Sequence, residues 1–571
     1  MDPNPSTGVV LRLEPSAPAG VPDGGRRIVV TDTAWTPGPA DSAIALREVA
    51  ARVLGARDFI AEASALLDGW AEAADVAPLT TVDGTAYWYA NRLRAFLWLQ
   101  ERAAWLAIVD ALVAQATPTA IEVAAGVALP LSDAVRQIAE RDGLPFSAEA
   151  GGAAGAAEDP DVVEGAESSA AAPAATAPPP AARTKPSLAG RIAARLRPPE
   201  ATRRLNMMRE RVAGLKGERP RLLVLLSHAP QRVETPSGPR MVNAYLGPVV
   251  DRLAGTALEP IEIDERAAAT DDASWGLVEA QPRRLPGDVL RLFGRPADAP
   301  APARQAEAVI GALRAVRVPV VTSGVDLGPV LASRVADDAA KSLKHQIRTS
   351  TRAERLIREL KPAALLLADE YHRQAWVGAA ARAGVPAVAV QHGLIYERHT
   401  GYIHRTRPAS LRLPTRTYTF GSWERRLLTE RSVYREDEAA VGGSPRLTLT
   451  APPAAVDRDA VRAELGIAPG DRLVVVSGTW GAFYRTFHYP IALAGLLDRR
   501  LPRIHLVVKL HPAETDEGPY RGDHRGAAAA RGFAAPPVTI VQNVDLYRPR
   551  RERRAPRSTR RCSPRPWRPG R

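Results

Sequence analysis

The chain has 571 residues, enough for two to four domains that each bury a core of their own. Its one cysteine, Cys562, excludes an internal disulfide framework and a cysteine-built metal site, and suits a reducing compartment. The net charge of +13 invites a nucleic-acid reading, but residues 548–571 hold eleven Arg and one Glu, so +10 of that charge belongs to the tail and argues against it.

Residues 1–25 are rich in Pro and Gly without hydrophobic period, which predicts disorder. No basic start leads into an apolar stretch, so no signal peptide is expected, and no apolar run approaches the roughly 18 residues of a membrane span. Over 26–146, a short strand at 26–30 precedes helical spacing at 43–70 and 87–116, a strand at 120–125 and a helix at 132–141. That order predicts the first part of an α/β domain. Residues 147–187 are mostly Ala, Gly, Pro, Glu and Ser, too few large apolar groups to offset chain entropy, and read as a linker or insertion. The segment 188–217 contains an arginine-rich amphipathic helix, either a solvated connector or a contact for an anionic membrane surface.

Strand and helix alternate over 218–445. Strands are predicted at 222–226, 318–322, 363–368 and 386–390, with helices at 239–254, 339–360 and 374–383. The region 446–547 repeats the alternation, with strands at 473–477, 505–509 and 538–541 and helices at 458–465 and 490–499. The expected fold class is α/β, two doubly wound Rossmann-like units in tandem, with ligands at the carboxyl ends of the strands.

Two strand ends carry the strongest motifs. The first runs from Gly384 through a buried strand to Gln391-His392-Gly393, which sets an imidazole at the sheet's carboxyl edge beside a glycine that lets the backbone turn. A histidine there titrates near neutrality and can act as a base; equally, it can simply cap a strand. The second is Lys509-Leu510-His511-Pro512 with Glu514 following. Lys509 and His511 alternate onto one strand face, where a cation and an imidazole can meet one anionic ligand, and Pro512 stops the ladder.

Together, a strand ending in Gln-His-Gly and a later strand ending in Lys-Leu-His-Pro-x-Glu resemble GT-B glycosyltransferases of bacterial surface and capsule polysaccharide synthesis, the group around CDP-glycerol glycerophosphotransferases. Ala368-Asp-Glu-Tyr-His-Arg, Thr419-Phe-Gly-Ser-Trp and Val441-Gly-Gly-Ser-Pro-Arg446 fit the same pattern, and the resemblance spans about 218–547. It implies an N-terminal acceptor-side domain and a C-terminal donor-binding domain over 446–547. It also implies His392 as the base acting on an acceptor hydroxyl, and Lys509 and His511 as ligands of the donor diphosphate. Ser477, Gly478 and Thr479 then offer backbone amides to a phosphate. Asp369 and Glu370 read as acceptor-side groups or as helix caps, and Ser227 and His228 close another strand in the same way. Arg398, His399 and His404 are either ligand contacts or loop residues. The implied co-substrate is a nucleotide-activated sugar or CDP-polyol, with no bound metal or other cofactor, and the acceptor a polysaccharide or lipid-linked precursor. The implied location is cytoplasmic, with peripheral contact at the inner face of the plasma membrane as a second option. A UDP-sugar 2-epimerase of the same fold and a non-catalytic remnant are the alternatives.

After Tyr547 the pattern stops, and five prolines among the arginines of 548–571 forbid helix or strand. The genetic code suggests why. Ser558 to Arg571 can be encoded by a string that, read two bases later, gives His-Ser-Thr-Val-Leu-Thr-Glu-Ala-Val-Ala-Thr-Gly-Thr, which resembles the family's donor-site turn and helix. We therefore expect a frameshift near residue 548, leaving the second unit truncated with a sheet edge and an apolar face uncovered.

Overall fold

The computed structural model describes residues 9–13, 26–31, 41–125, 127, 129–149, 200–215, 219–228, 230–235, 238–253, 255–268, 271–279, 281–449, 458–478, 489–510, 517–529 and 534–541. The expected linker beyond residue 149, the start of the expected basic helix at 188–199 and the tail 548–571 lie outside these residues, as do Thr479, His511, Pro512 and Glu514.

Three parallel sheets appear in chain order. The first has five strands in the order Asp41–Ala45, Arg26–Thr31, Val9–Leu13, Ala120–Val123, Phe146–Ala148. The start of the chain, expected to be disordered through residue 25, thus supplies the central strand of this sheet. Val-Val-Leu-Arg-Leu is short, but Leu11 and Leu13 are buried, and that local apolar run outweighs its Pro/Gly flanks. Likewise Phe146–Ala148 is an edge strand, where the linker was expected to begin at 147.

The second sheet has seven parallel strands: Arg284–Pro286, Glu259–Asp264, Arg221–Leu226, Ala364–Ala368, Ala387–Val390, Arg416–Thr419 and Ala439–Val441. Numbered along the chain, the order is 3-2-1-4-5-6-7, so the winding reverses between Arg221–Leu226 and Ala364–Ala368. Arg221–Leu226 is buried along its whole length, as a strand covered on both faces must be. The helix expected at 239–254 is present over Gly247–Leu253, while its first residues belong to a hairpin of Gln231–Thr235 with Gly238–Val242. The expected strand at 318–322 shrinks to Val321–Thr322, paired with Val325–Asp326.

The 33-residue helix Gly328–Leu360 ties the first two units together. Leu331, Val335, Leu343 and Ile347 pack with the helices of the first unit, whereas Ala353, Leu356, Ile357 and Leu360 pack under the seven-stranded sheet. Their three-to-four residue spacing keeps one face inward for the whole length. It ends at Lys361, whose φ of 47° is left-handed and whose N–H donates to the Ile357 carbonyl. The basic helix at 188–217 is described over Glu200–Gly214, and its Met208 and Val212 are buried against the second unit. Its apolar face serves packing.

Among the described residues the third sheet has three strands, Arg472–Ser477, Ile504–Lys509 and Val538–Val541, in that order and all parallel. Its first strand lies at the edge, with Leu473 and Val475 exposed on one face. Among the described residues no helix is long and apolar enough to cross a membrane.

Candidate active site

Three neighbouring strands of the seven-stranded sheet deliver their following residues to one edge. Arg221–Leu226 leads to Ser227 and His228, Ala364–Ala368 to Asp369, and Ala387–Val390 to Gln391 and His392. Because the strands are parallel and adjacent, all three carboxyl ends face the same way. The first two flank the point where the winding reverses, and their outgoing loops therefore part and leave a crevice.

The crevice has a volume of about 420 Å³. One wall is His228, Asp369, His372, Arg373 and His392; the other is Asn91 and Arg94 from the helix Trp88–Ala116 with Ser342 and Gln346 from Gly328–Leu360. The His228 and His392 rings stack at 5.1 Å between centroids, and Tyr245 packs against both. Asp369 Oδ2 is 2.8 Å from His372 Nδ1, and Asp369 Oδ1 is 3.7 Å from His392 Nδ1. Asp369 adopts a φ of 62°, a left-handed conformation that an Asp tolerates better than most residues and that turns its carboxylate into the crevice wall.

Burial alone would raise the Asp369 carboxyl, but the imidazoles of His372 and His392, with Arg373, outweigh it and hold the group well below the usual carboxylate range. His228 is pushed down to about 4, by burial first and by His392 second, so it is neutral at pH 7. Glu370, next along the chain, points the other way. It is buried, accepts hydrogen bonds from Thr417 at 3.0 Å and Tyr434 at 3.4 Å, and is pushed up to about 7 by burial. It supports the sheet from behind.

The structure therefore gathers His392, Asp369, Ser227 and His228 and separates the other sequence candidates from them. Gln391 is buried with both ends of its amide engaged: Nε2 donates to the Gly393 carbonyl and Oε1 accepts from Phe420 N–H. It shapes the turn that presents His392. His399 sits behind Tyr371, whose ring is 5.3 Å away, and its Nδ1 accepts from Gly401 N–H. His404 accepts from Arg92 at 3.1 Å, and Arg398 pairs with Asp58 across an exposed surface. In the third unit, Ser477 and Lys509 are partners across adjacent strands, Gly478 N–H donates to the Lys509 carbonyl, and Lys509 Nζ donates to the Leu510 carbonyl.

His372, Tyr245, Asn91, Arg94, Ser342 and Gln346 were not legible as site residues. His372 lay within the quoted Asp-Glu-Tyr-His-Arg run, where its spacing of three from Asp369 was the available signal. The four helix residues reach the crevice only through packing between distant segments.

No family profile and no curated protein matches this chain. Among solved structures it resembles a Staphylococcus aureus MnaA–UDP complex at 12% identity and a TM-score of 0.30, over 57% of this chain and 70% of that one. It also resembles UDP-GlcNAc 2-epimerase from Methanocaldococcus jannaschii (10%, 0.28, over 57% and 74%) and MurG from Acinetobacter baumannii (11%, 0.25, over 57% and 67%). At these scores the likeness is one of partial architecture alone.

Proposed function

We propose that the chain is a transferase that moves a sugar or polyol phosphate from a nucleotide-activated donor to a hydroxyl of a surface polysaccharide or lipid-linked acceptor. The observation that carries this reading is the convergence of His228, Asp369 and His392 from three adjacent strands at the reversal of the winding. His392 is the base. It accepts the acceptor hydroxyl's proton as the oxygen attacks the donor carbon or phosphorus, and the nucleotide leaves with the bonding pair. Asp369 faces the ring from 3.7 Å and stabilises the imidazolium as it forms. Asn91, Ser342 and Gln346 supply the amides and hydroxyl that suit a polyol acceptor. Donor phosphates belong at Ser477, Gly478, Thr479, Lys509 and His511, where small residues and a cation close two parallel strands. The location that goes with this chemistry is cytoplasmic, at the inner membrane face.

A panel of UDP-, GDP- and CDP-activated donors offered with membrane-derived acceptor tests the proposal. Acceptor-dependent release of nucleotide that disappears in His392→Ala is the expected result. Epimerisation of a UDP-sugar without acceptor would replace it with the epimerase reading. Absence of any donor binding would instead favour the remnant reading.

A further inference from the structure

We propose that His228, Asp369 and His392 form a binding site for one divalent transition-metal ion of the zinc class, where the sequence resemblance implies none. One ligand atom from each lies within 4.8 Å of the others, the one such group among the described residues. The two ring centroids are 5.1 Å apart. Two imidazoles on a single tetrahedral ion, with metal–nitrogen bonds of about 2.0–2.1 Å, place their centroids about 5 Å apart. The ring spacing suits an ion, and ligand atoms within 4.8 Å of one another need only draw inward to reach it.

The remaining atoms of the three side chains are arranged as a metal site needs. His228 Nδ1 lies 3.3 Å from the Ser227 hydroxyl, which leaves Nε2 for the crevice. His372 Nδ1 holds Asp369 Oδ2 at 2.8 Å, which leaves Oδ1. Such outer partners orient ligands and set the ring tautomer. What is left over is unsatisfied: Asp369 Oδ1 and His392 Nδ1 are both buried, have no hydrogen-bond partner, and face each other at 3.7 Å, too far for a hydrogen bond. The Asp369 side chain is only 8% exposed, and a carboxylate oxygen left unpaired at that depth is costly. A dication between the two atoms satisfies both. The nearby Arg373 guanidinium is engaged by Glu265 at 3.0 Å. Two imidazoles and one carboxylate suit zinc, cobalt or nickel better than calcium or magnesium, and the fourth position opens to the crevice.

With the ion on Nδ1 the ring's proton sits on Nε2, which then has no lone pair for an acceptor's proton, so the metal-loaded and proton-accepting states exclude one another. The site itself stands apart from the transfer reading, because its test needs no substrate. Full-length protein stripped with a chelator is titrated with Co²⁺, followed by visible absorption, and then with Zn²⁺ by calorimetry. One equivalent is expected to bind, with affinity weakened about tenfold or more in His228→Gln and in Asp369→Asn. His345→Gln, at an exposed position, serves as the control and is expected to bind as the wild type does. Thermal unfolding without metal shows which variants fold, and should Asp369→Asn fail, His228→Gln decides alone. Absence of binding below about 100 µM Zn²⁺, far weaker than zinc sites of this kind, overturns the proposal. So does unchanged affinity in folded His228→Gln.

Discussion

At the scale of single residues, histidines of one chemical type hold three different positions. His392 borders the crevice, and removal of a general base typically costs 10²–10⁴ in rate, so His392→Ala is expected to lose about a thousandfold in turnover while unfolding at the wild-type temperature. Single-turnover kinetics with a saturating donor check it. His399 and His404 are buried away from the crevice. Burial first, and neighbouring His392 second, push His399 down to about 4, while burial and Arg92 hold His404 well below its ordinary value. Both folded values are depressed, so the unfolded chain binds these protons first as pH falls. The stability they contribute is present above about pH 6.5 and is lost as pH drops toward 4. Melting temperature is therefore expected to fall across that window. His404→Gln, whose amide oxygen can still accept from Arg92, is expected to flatten the fall. Arg92 itself is buried, donating to Asp68 at 2.5 Å and to the carbonyls of Thr400 and Ile403 at 2.9 and 2.8 Å. Asp68→Ala leaves that guanidinium short of its carboxylate and is expected to cost about 3–5 kcal/mol, read by denaturant unfolding.

At the scale of elements, contacts between segments far apart in sequence set how closely elements approach. Gly378, in the helix Gln374–Arg382, lies so close to Thr85 that an added Cβ would meet Thr85 Oγ1 at 2.3 Å. Gly378→Ala is therefore expected to destabilise by about 1–3 kcal/mol, with much of the loss recovered in the double variant with Thr85→Ala. The long helix Gly328–Leu360 was legible over its C-terminal two thirds from periodicity, but not its start at Gly328, because Pro329 reads as a breaker until its first-turn position is known. The strands Arg416–Thr419 and Ala439–Val441 were missed for a related reason. Arg-Thr-Tyr-Thr has little apolar content, and it becomes a strand because the sheet edge beside Ala387–Val390 offers it a ladder. Of the helix expected at 239–254, residues 247–253 are helical, while 239–242 form a hairpin strand whose short run has no strict period to distinguish it.

At the scale of the whole molecule, the first two sheets wind alike. Each has its first strand in the interior, in orders 3-2-1-4-5 and 3-2-1-4-5-6-7, while among the described residues the third runs 1-2-3 with Arg472–Ser477 at an edge. A parallel strand is ordinarily flanked and covered on both faces, yet Leu473 and Val475 are exposed. The frameshift expected from the shifted-frame string is a separate question, which the coding DNA answers. Resequencing codons 540 onward is expected to find one base that restores the His-Ser-Thr reading. A confirmed frame would leave the remnant reading in force. Arg472 and Gly478 N–H donate to the neighbouring strand, so the alternate amides face the open edge, and restored protein is expected to protect the Leu473 and Val475 amides in hydrogen exchange more than the chain as written does. If it does not, the added segment does not pair at this edge.

The sequence by itself determined the local alternation of buried strands and amphipathic helices, and with it the positions of His228, Asp369 and His392 at strand ends. Hydrophobic period and strand-ending residues are properties of short windows, so no neighbour is needed to read them. Tertiary structure decided which strand ends meet. Arg221–Leu226 and Ala364–Ala368 are distant in the chain and become partners through the reversal of winding, which gathers three side chains around one crevice. The same pairing consigns His399, His404 and Gln391 to packing and hydrogen-bonding roles that their residue types alone do not distinguish from His392. Which groups a side chain faces depends on segments hundreds of residues away, and only the folded chain specifies them.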